Sequence, residues 1–171
     1  MTTVTLPTVP PPPESHGGTG PPPLPLPGRY AVAPDRSLVE LTAWYGPLAT
    51  GRHRVTLTGA SLTVPDGSEQ QQPEFRFEFT GRAGARSVLV SEQVDSFDGG
   101  RRLRLLADLE VRGVAFPALL WLRVVERADD RLLVVGTARL PYRLLRRATG
   151  FRFGRPRPAT RLRLLVAAEF A

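Results

Sequence analysis

Residues 74–80, Glu-Phe-Arg-Phe-Glu-Phe-Thr, constrain the fold more than any other segment. Phe75, Phe77 and Phe79 alternate with Arg76, Glu78 and Thr80, and a β-strand, whose successive side chains point to opposite faces, gathers the three rings on one side. A helix would scatter them around its cylinder. The strand therefore has one buried and one wet face, and the chain must supply a second apolar surface to cover the rings.

The same period of two recurs along the chain. In 38–45, Val39, Leu41 and Ala43 oppose Glu40 and Thr42; in 53–64, Val55 and Leu57 share a side; in 101–112, Leu103, Leu105, Ala107, Leu109 and Val111 oppose Arg102, Arg104, Asp108, Glu110 and Arg112. Further runs at 29–32, 87–94, 116–126, 131–140 and 160–170 bring the strand-like segments to about nine. Pro65-Asp66-Gly67-Ser68, Gly81-Arg82-Ala83-Gly84 and Asp98-Gly99-Gly100 read as turns between them. Only 142–150 reads as helical, with Pro141 suited to a first turn and Gly150 to a stop. Antiparallel strands with one apolar face each are buried by packing two sheets or by closing into a barrel, and closure also removes exposed edges. The expected architecture is an all-β, single antiparallel, lipocalin-like barrel of about eight or nine strands with one short helix.

That barrel occupies residues 28–171. Residues 1–27 hold ten of the 18 prolines, and proline fixes φ and lacks an N–H, so this stretch predicts a disordered Pro-rich tail that favours polyproline II. Its runs 10–13 and 21–27 suit an aromatic groove of an SH3-like or WW-like partner, or the tail is a low-complexity leader that needs none.

The chain has no Cys and only His16 and His53, which excludes disulfides, thiolate zinc sites and histidine-rich metal centres. No Gly-x-Ser-x-Gly, P-loop or GxGxxG occurs, so neither a serine nucleophile nor a nucleotide cofactor is indicated. Glu92, Asp95 and Asp98 lie close enough in sequence to form paired carboxylates, though turn acids of this kind are ordinarily solvated. The expectation is a non-enzymatic protein without a cofactor. The N-terminus lacks a signal-like charged and apolar pattern, and no apolar run reaches the length of a membrane helix, so a soluble cytoplasmic protein is expected.

Charge offers a second theme. All 23 basic residues are Arg, against 16 acidic ones, for a net +7; Lys, Ile and Asn are absent. That pattern fits a GC-rich coding bias, and the positive potential attracts anions whatever its origin. Residues 131–168 contain ten Arg and no Asp or Glu. Arg143, Arg146, Arg147, Arg152, Arg155 and Arg157 are therefore candidate anion-binding residues, suited to phosphate head groups or an anionic surface; a solvated basic face is the plain alternative, and nucleic acid is the less favoured partner.

Two segments carry a family resemblance. Gly28-Arg29-Tyr30 before a short strand, with Asp35 and Ser37 just ahead of the next, and Leu109-Glu110-Val111-Arg112-Gly113 followed by Val114 and Pro117, resemble the YceI-like family of lipocalin-like barrels known for binding polyisoprenoid chains. The likeness covers most of 28–171, except that the middle is shortened and lacks the family's Arg-Asp and Phe-Phe. The resemblance implies a barrel that binds or sequesters an isoprenoid or other hydrophobic ligand. The candidate lining is Val39, Leu41, Val55, Leu57, Phe75, Phe77, Phe79, Val88, Val90, Leu120, Leu122, Val124, Leu133, Val135, Leu162, Leu164 and Val166, all on apolar strand faces. The competing expectation is that these residues pack solidly against one another, leaving an interaction protein that binds through its tail or Arg-rich face. Trp44 and Trp121 fall opposite the main apolar sets, which places them either in a satellite core under the tail or helix or on an aromatic rim.

Overall fold

A computed structural model describes residues 24–32, 36–66, 71–81, 86–150 and 159–171. In chain order its elements are β1 (Gly28–Ala31), β2 (Leu38–Tyr45), β3 (Leu48–Val64), β4 (Glu74–Thr80), β5 (Arg86–Phe97), β6 (Arg102–Val111), β7 (Val114–Ala128), β8 (Arg131–Leu140), α1 (Tyr142–Thr149) and β9 (Arg161–Phe170). From β4 to β9 each strand pairs antiparallel with the next; β9 then pairs with β2, β2 with β3, and β3 with β4. The ring of eight, β2 to β9, is therefore a closed antiparallel barrel. β1 stands outside it, pairing with the far half of β3 and bridging to Phe170 through Val32.

Closure needs bent strands, and irregularities that insert a residue into one side of a ladder supply the bend. They fall at Ala43/Trp44, between Leu57 and Gly59, between Ser91 and Gln93, and between Val124 and Glu126. At the β5 irregularity the buried Ser91 Oγ accepts a hydrogen bond from the Phe75 N–H at 2.8 Å, satisfying a donor beyond the last β4–β5 pair, Arg76↔Val90. β6 and β7 meet through Arg112 and Gly113, both at positive φ (53° and 79°), the twist a two-residue hairpin turn requires.

Inside the barrel the side chains interdigitate. Phe170 reaches from β9 toward β4, its ring edge-on to Phe75 at 5.6 Å and to Phe77 at 5.9 Å, while Phe77 stacks at 6.3 Å on both Phe75 and Phe79. Phe75, Phe77, Leu62, Leu89, Leu103, Leu105, Leu120, Leu132, Val134 and Phe170 have no accessible surface. A water-sized void beside any of them would leave some of that surface reachable, so the central layers are solid. Gly136 shows how closely they fit: a Cβ there would collide with Leu122 Cδ2 and lie 3.1 Å from the Trp121 carbonyl oxygen.

The two ends differ. At one, α1 buries Tyr142 and Leu145 and stops at Gly150, whose φ of 67° gives a left-handed cap with its N–H bonded to the Arg146 carbonyl. At the other, residues 24–27 close over the strands: Leu24 is buried, Leu26 N–H donates to the Asp129 carbonyl at 3.0 Å, and Tyr30 Oη donates to the Leu26 carbonyl at 2.7 Å. Leu24 to Pro27, the end of the Pro-rich stretch, thus pack against the barrel. Nearby, Arg36 Nη1 donates to both carboxylate oxygens of Glu169, and Arg131 lies 3.6 Å away.

The outer wall carries Arg102, Arg104, Asp108, Glu110, Arg123, Arg139, Arg161 and Arg163, opposite the inward apolar sets. This is the inverse of a membrane-spanning barrel, which turns its apolar face to lipid. Among the described residues no helix is long and apolar enough to cross a membrane.

Candidate functional site

The site is built from inward-facing residues that remain within reach of solvent. Below Thr56, paired with Thr80 at the end of β4, the lower part of β3 keeps β2 as its ladder partner. Along that stretch the inward side chains Leu41, His53, Val55 and Leu57 are only half-buried, whereas Leu62 further up β3 is sealed. Leu41 faces His53 across the β2–β3 ladder, Val39 faces Val55, and Leu57 faces the buried Phe79. Together they form a half-accessible apolar strip on the inner side of β2 and β3, referred to below as the mouth, which borders the buried Phe79 and bears one imidazole.

Sequence-predicted lining residues divide into three groups. Leu41, Val55 and Leu57 line the mouth, and Val124 is partly covered near the opposite end. Val39, Phe75, Phe77, Phe79, Leu120, Leu122, Leu162, Leu164 and Val166 point inward as expected and are buried in the packed core. Val88, Val90, Leu133 and Val135 are corrected, because they lie on the outer wall. Val88 sits opposite Glu78 and Glu110, Val90 opposite Arg76 and Asp108, Leu133 opposite Glu126 and Glu169, and Val135 opposite Arg123. The inward positions there belong to Leu89, Ser91, Leu132 and Val134.

Of the candidate anion-binding residues, Arg143, Arg146 and Arg147 are exposed on α1, while Arg152, Arg155 and Arg157 lie outside the described residues. Trp121 is neither a satellite core under tail or helix nor a rim at the mouth: it stands 46% exposed on the outer wall, 5.9 Å from Phe97. Trp44 is half-buried under the Arg161 guanidinium, 5.8 Å above its ring. His53 pairs with Leu41 and shares the inward side with Val55 and Leu57, as its alternation with them in the sequence signals.

Of the three clustered acids, Glu92 is exposed, and Asp95 and Asp98 are engaged by different arginines. Arg104 and Gln93 donate to Asp95, and Arg102 pairs with Asp98. Hydrogen bonds from Arg104 and then Gln93 hold the Asp95 carboxyl below the usual range, as those from Arg86 and then Arg76 do for Glu78. A carboxylate whose folded pKa is depressed stabilises the fold above its unfolded pKa, about 4, and that contribution is lost as pH falls through the folded value. Urea midpoints should accordingly decline below about pH 4, with a smaller decline in an Arg86→Ala/Arg104→Ala variant; the effect is small because both carboxylates are solvent-facing. Equal declines in both proteins would refute the assignment.

At the far end lies a polar depression of about 590 Å³ lined by Thr63, Pro65, Gln71, Gln72, Pro73, Glu74, Ser91 and Glu92. Among the described residues no three His, Asp or Glu side chains gather as a metal-binding group. The fold and mouth define a closed eight-stranded barrel with a solid centre, one covered end and an apolar, partly accessible strip on β2 and β3. Compared with protein-family models and with curated proteins, the chain matches none.

Proposed function

We propose that this protein binds an apolar, chain-like ligand, an isoprenoid or another lipid, at the mouth of its barrel. The observation that supports this reading is the inward apolar strip Leu41, Val55 and Leu57, left half-accessible on a barrel whose other inward residues are largely sealed. Apolar side chains exposed in a concave place mark a ligand surface more often than scattered exposed ones do. Each methylene buried there is worth about 0.8 kcal/mol, so a lipid tail needs no polar contact to bind. The YceI-like resemblance at Gly28–Tyr30 and Leu109–Gly113 favours an isoprenoid. Because the central layers are solid, the ligand lies along the inner face of β3 rather than threading the barrel, with any anionic head group toward Arg143, Arg146 and Arg147. The binding is sequestration, without bond-making.

The same solid centre favours a second reading, an interaction protein whose filled barrel presents its Arg-rich face or Pro-rich tail to a partner. Native mass spectrometry of gently purified protein, with extraction of any adduct, separates the two. A stoichiometric prenyl or acyl adduct, lost in Leu57→Arg but kept in the outer-wall control Val88→Ser, is the expected result. An apo mass that persists after incubation with isoprenoid lipids would leave the interaction reading.

A further inference from the structure

We propose that the α1 end of the barrel docks on an anionic lipid bilayer. The proposal rests on three features that the fold brings to that end from segments far apart in sequence. First, apolar side chains project there: Leu48 is 66% exposed and Tyr45 51% at the tip of the β2–β3 hairpin, and Leu144 is 59% exposed on α1. Second, Arg143, Arg146 and Arg147 are exposed on the same helix, with Arg143 and Arg147 flanking Leu144 on one side. Third, the half-accessible strip Leu41, His53, Val55 and Leu57 lies on the two strands that this hairpin joins.

Backbone and side-chain bonds fix this grouping. The Thr160 N–H donates to the Trp44 carbonyl at 2.8 Å, and Arg161 Nη2 donates to the Gly46 carbonyl at 3.1 Å, tying the hairpin tip to the start of β9. Arg112 Nη1 donates to the Thr149 carbonyl at 2.9 Å, tying the β6–β7 turn to the end of α1. The helix packs one side, Tyr142 and Leu145, against the barrel. Leu144 faces away from the barrel and is largely exposed.

Charge gives the end its partner and its direction. At the opposite end Asp98, Glu126 and Glu169 are balanced by ion pairs with Arg102, Arg131 and Arg36, and Asp129 and Asp130 are exposed, whereas α1 adds three exposed positive charges, Arg143, Arg146 and Arg147, at its own end. A molecule polarised in this way turns its basic end toward a negative surface. Arginines at the phosphate level with Tyr and Leu entering the interface are the chemistry of a surface-bound protein on acidic lipid. A nucleic acid backbone would reward the arginines but offers nothing to Leu48 and Leu144. Docking stands on this surface chemistry; that it lets the mouth exchange a ligand with the membrane rests on the binding reading above.

The test is sedimentation of the full chain with phosphatidylcholine vesicles, with and without phosphatidylglycerol, at two salt concentrations. Binding to the phosphatidylglycerol vesicles alone, weakened by salt, is expected. Arg143→Ala/Arg146→Ala/Arg147→Ala should weaken it about 100-fold, since each arginine near an acidic surface contributes roughly fivefold. Leu48→Ser/Leu144→Ser, at exposed positions that leave the unfolding midpoint in place, should weaken it about tenfold. Equal retention on both vesicles, no retention at low salt, or leucine variants that bind as the parent does while duplex DNA competes fully would each overturn the proposal, the last in favour of simple polyanion binding. Vesicle binding without a lipid adduct in mass spectrometry would leave docking standing and the ligand reading refuted; an adduct without vesicle binding would do the reverse.

Discussion

Phe77→Ala is expected to lower the free energy of unfolding by about 3–5 kcal/mol, a third or more of what a domain of this size commonly has. Phe77 is inaccessible to solvent and lies between the rings of Phe75 and Phe79 with Phe170 edge-on to it. Removing it deletes the contacts of three aromatic neighbours at once, and stacked and edge-on ring pairs are each worth about 0.5–1.5 kcal/mol beyond the buried area. The walls cannot follow inward, because β4 is hydrogen-bonded on both sides, to β3 and β5. Urea titration should show a lower midpoint at an unchanged slope. Val88→Ala, on the outer wall opposite Glu78, is the control, expected to cost under about 1 kcal/mol. Equal losses for the two would mean that the interior near β4 is hollow rather than packed.

The second large effect concerns a residue with no side chain. Gly136 faces inward on β8, where Leu122 occupies the space a Cβ would take. Gly136→Ala should destabilise by about 1–3 kcal/mol through overpacking, and Leu122→Ala by about 2–5 kcal/mol through the cavity it leaves. In the double variant the new methyl enters space that the leucine has vacated. The combined loss should fall short of the sum of the single losses by about 1 kcal/mol or more. Additivity to within about 0.5 kcal/mol would show that the two residues do not share that space. The comparison bears on function, since a barrel jammed at this level admits no ligand past its middle and restricts binding to the mouth.

Where one face of a strand is polar, the sequence was legible. Phe75, Phe77 and Phe79 against Arg76 and Glu78, or Leu103 to Val111 against charged neighbours, announce both the strand and the side that is buried. Leu132-Leu133-Val134-Val135 and Val88-Leu89-Val90 announce the strand but not the side, because apolar residues stand at both phases. A period of two has a readable phase only when the faces differ, so hydrogen-bond register with the neighbouring strands decides it. Leu133 is set outward by Glu126 and Glu169, and Val88 by Glu78 and Glu110. The exposed tip residues Tyr45 and Leu48 had a signal in the intervening Gly46-Pro47 turn, which places two apolar residues at a loop end. Nothing local marks Leu144 as exposed.

Sequence alone determined that the chain is a succession of strands with apolar faces, with one short helix before the last of them and an Arg-rich C-terminal third, because period, turn residues and charge are local properties. Tertiary structure decided whether those faces enclose a ligand or one another. That outcome depends on side chains meeting across the barrel, as Phe170 meets Phe75 and Leu122 fills the space over Gly136, and on where β4 stops short of β3 to leave the mouth. Contacts between residues distant in the chain are fixed only when the ring closes.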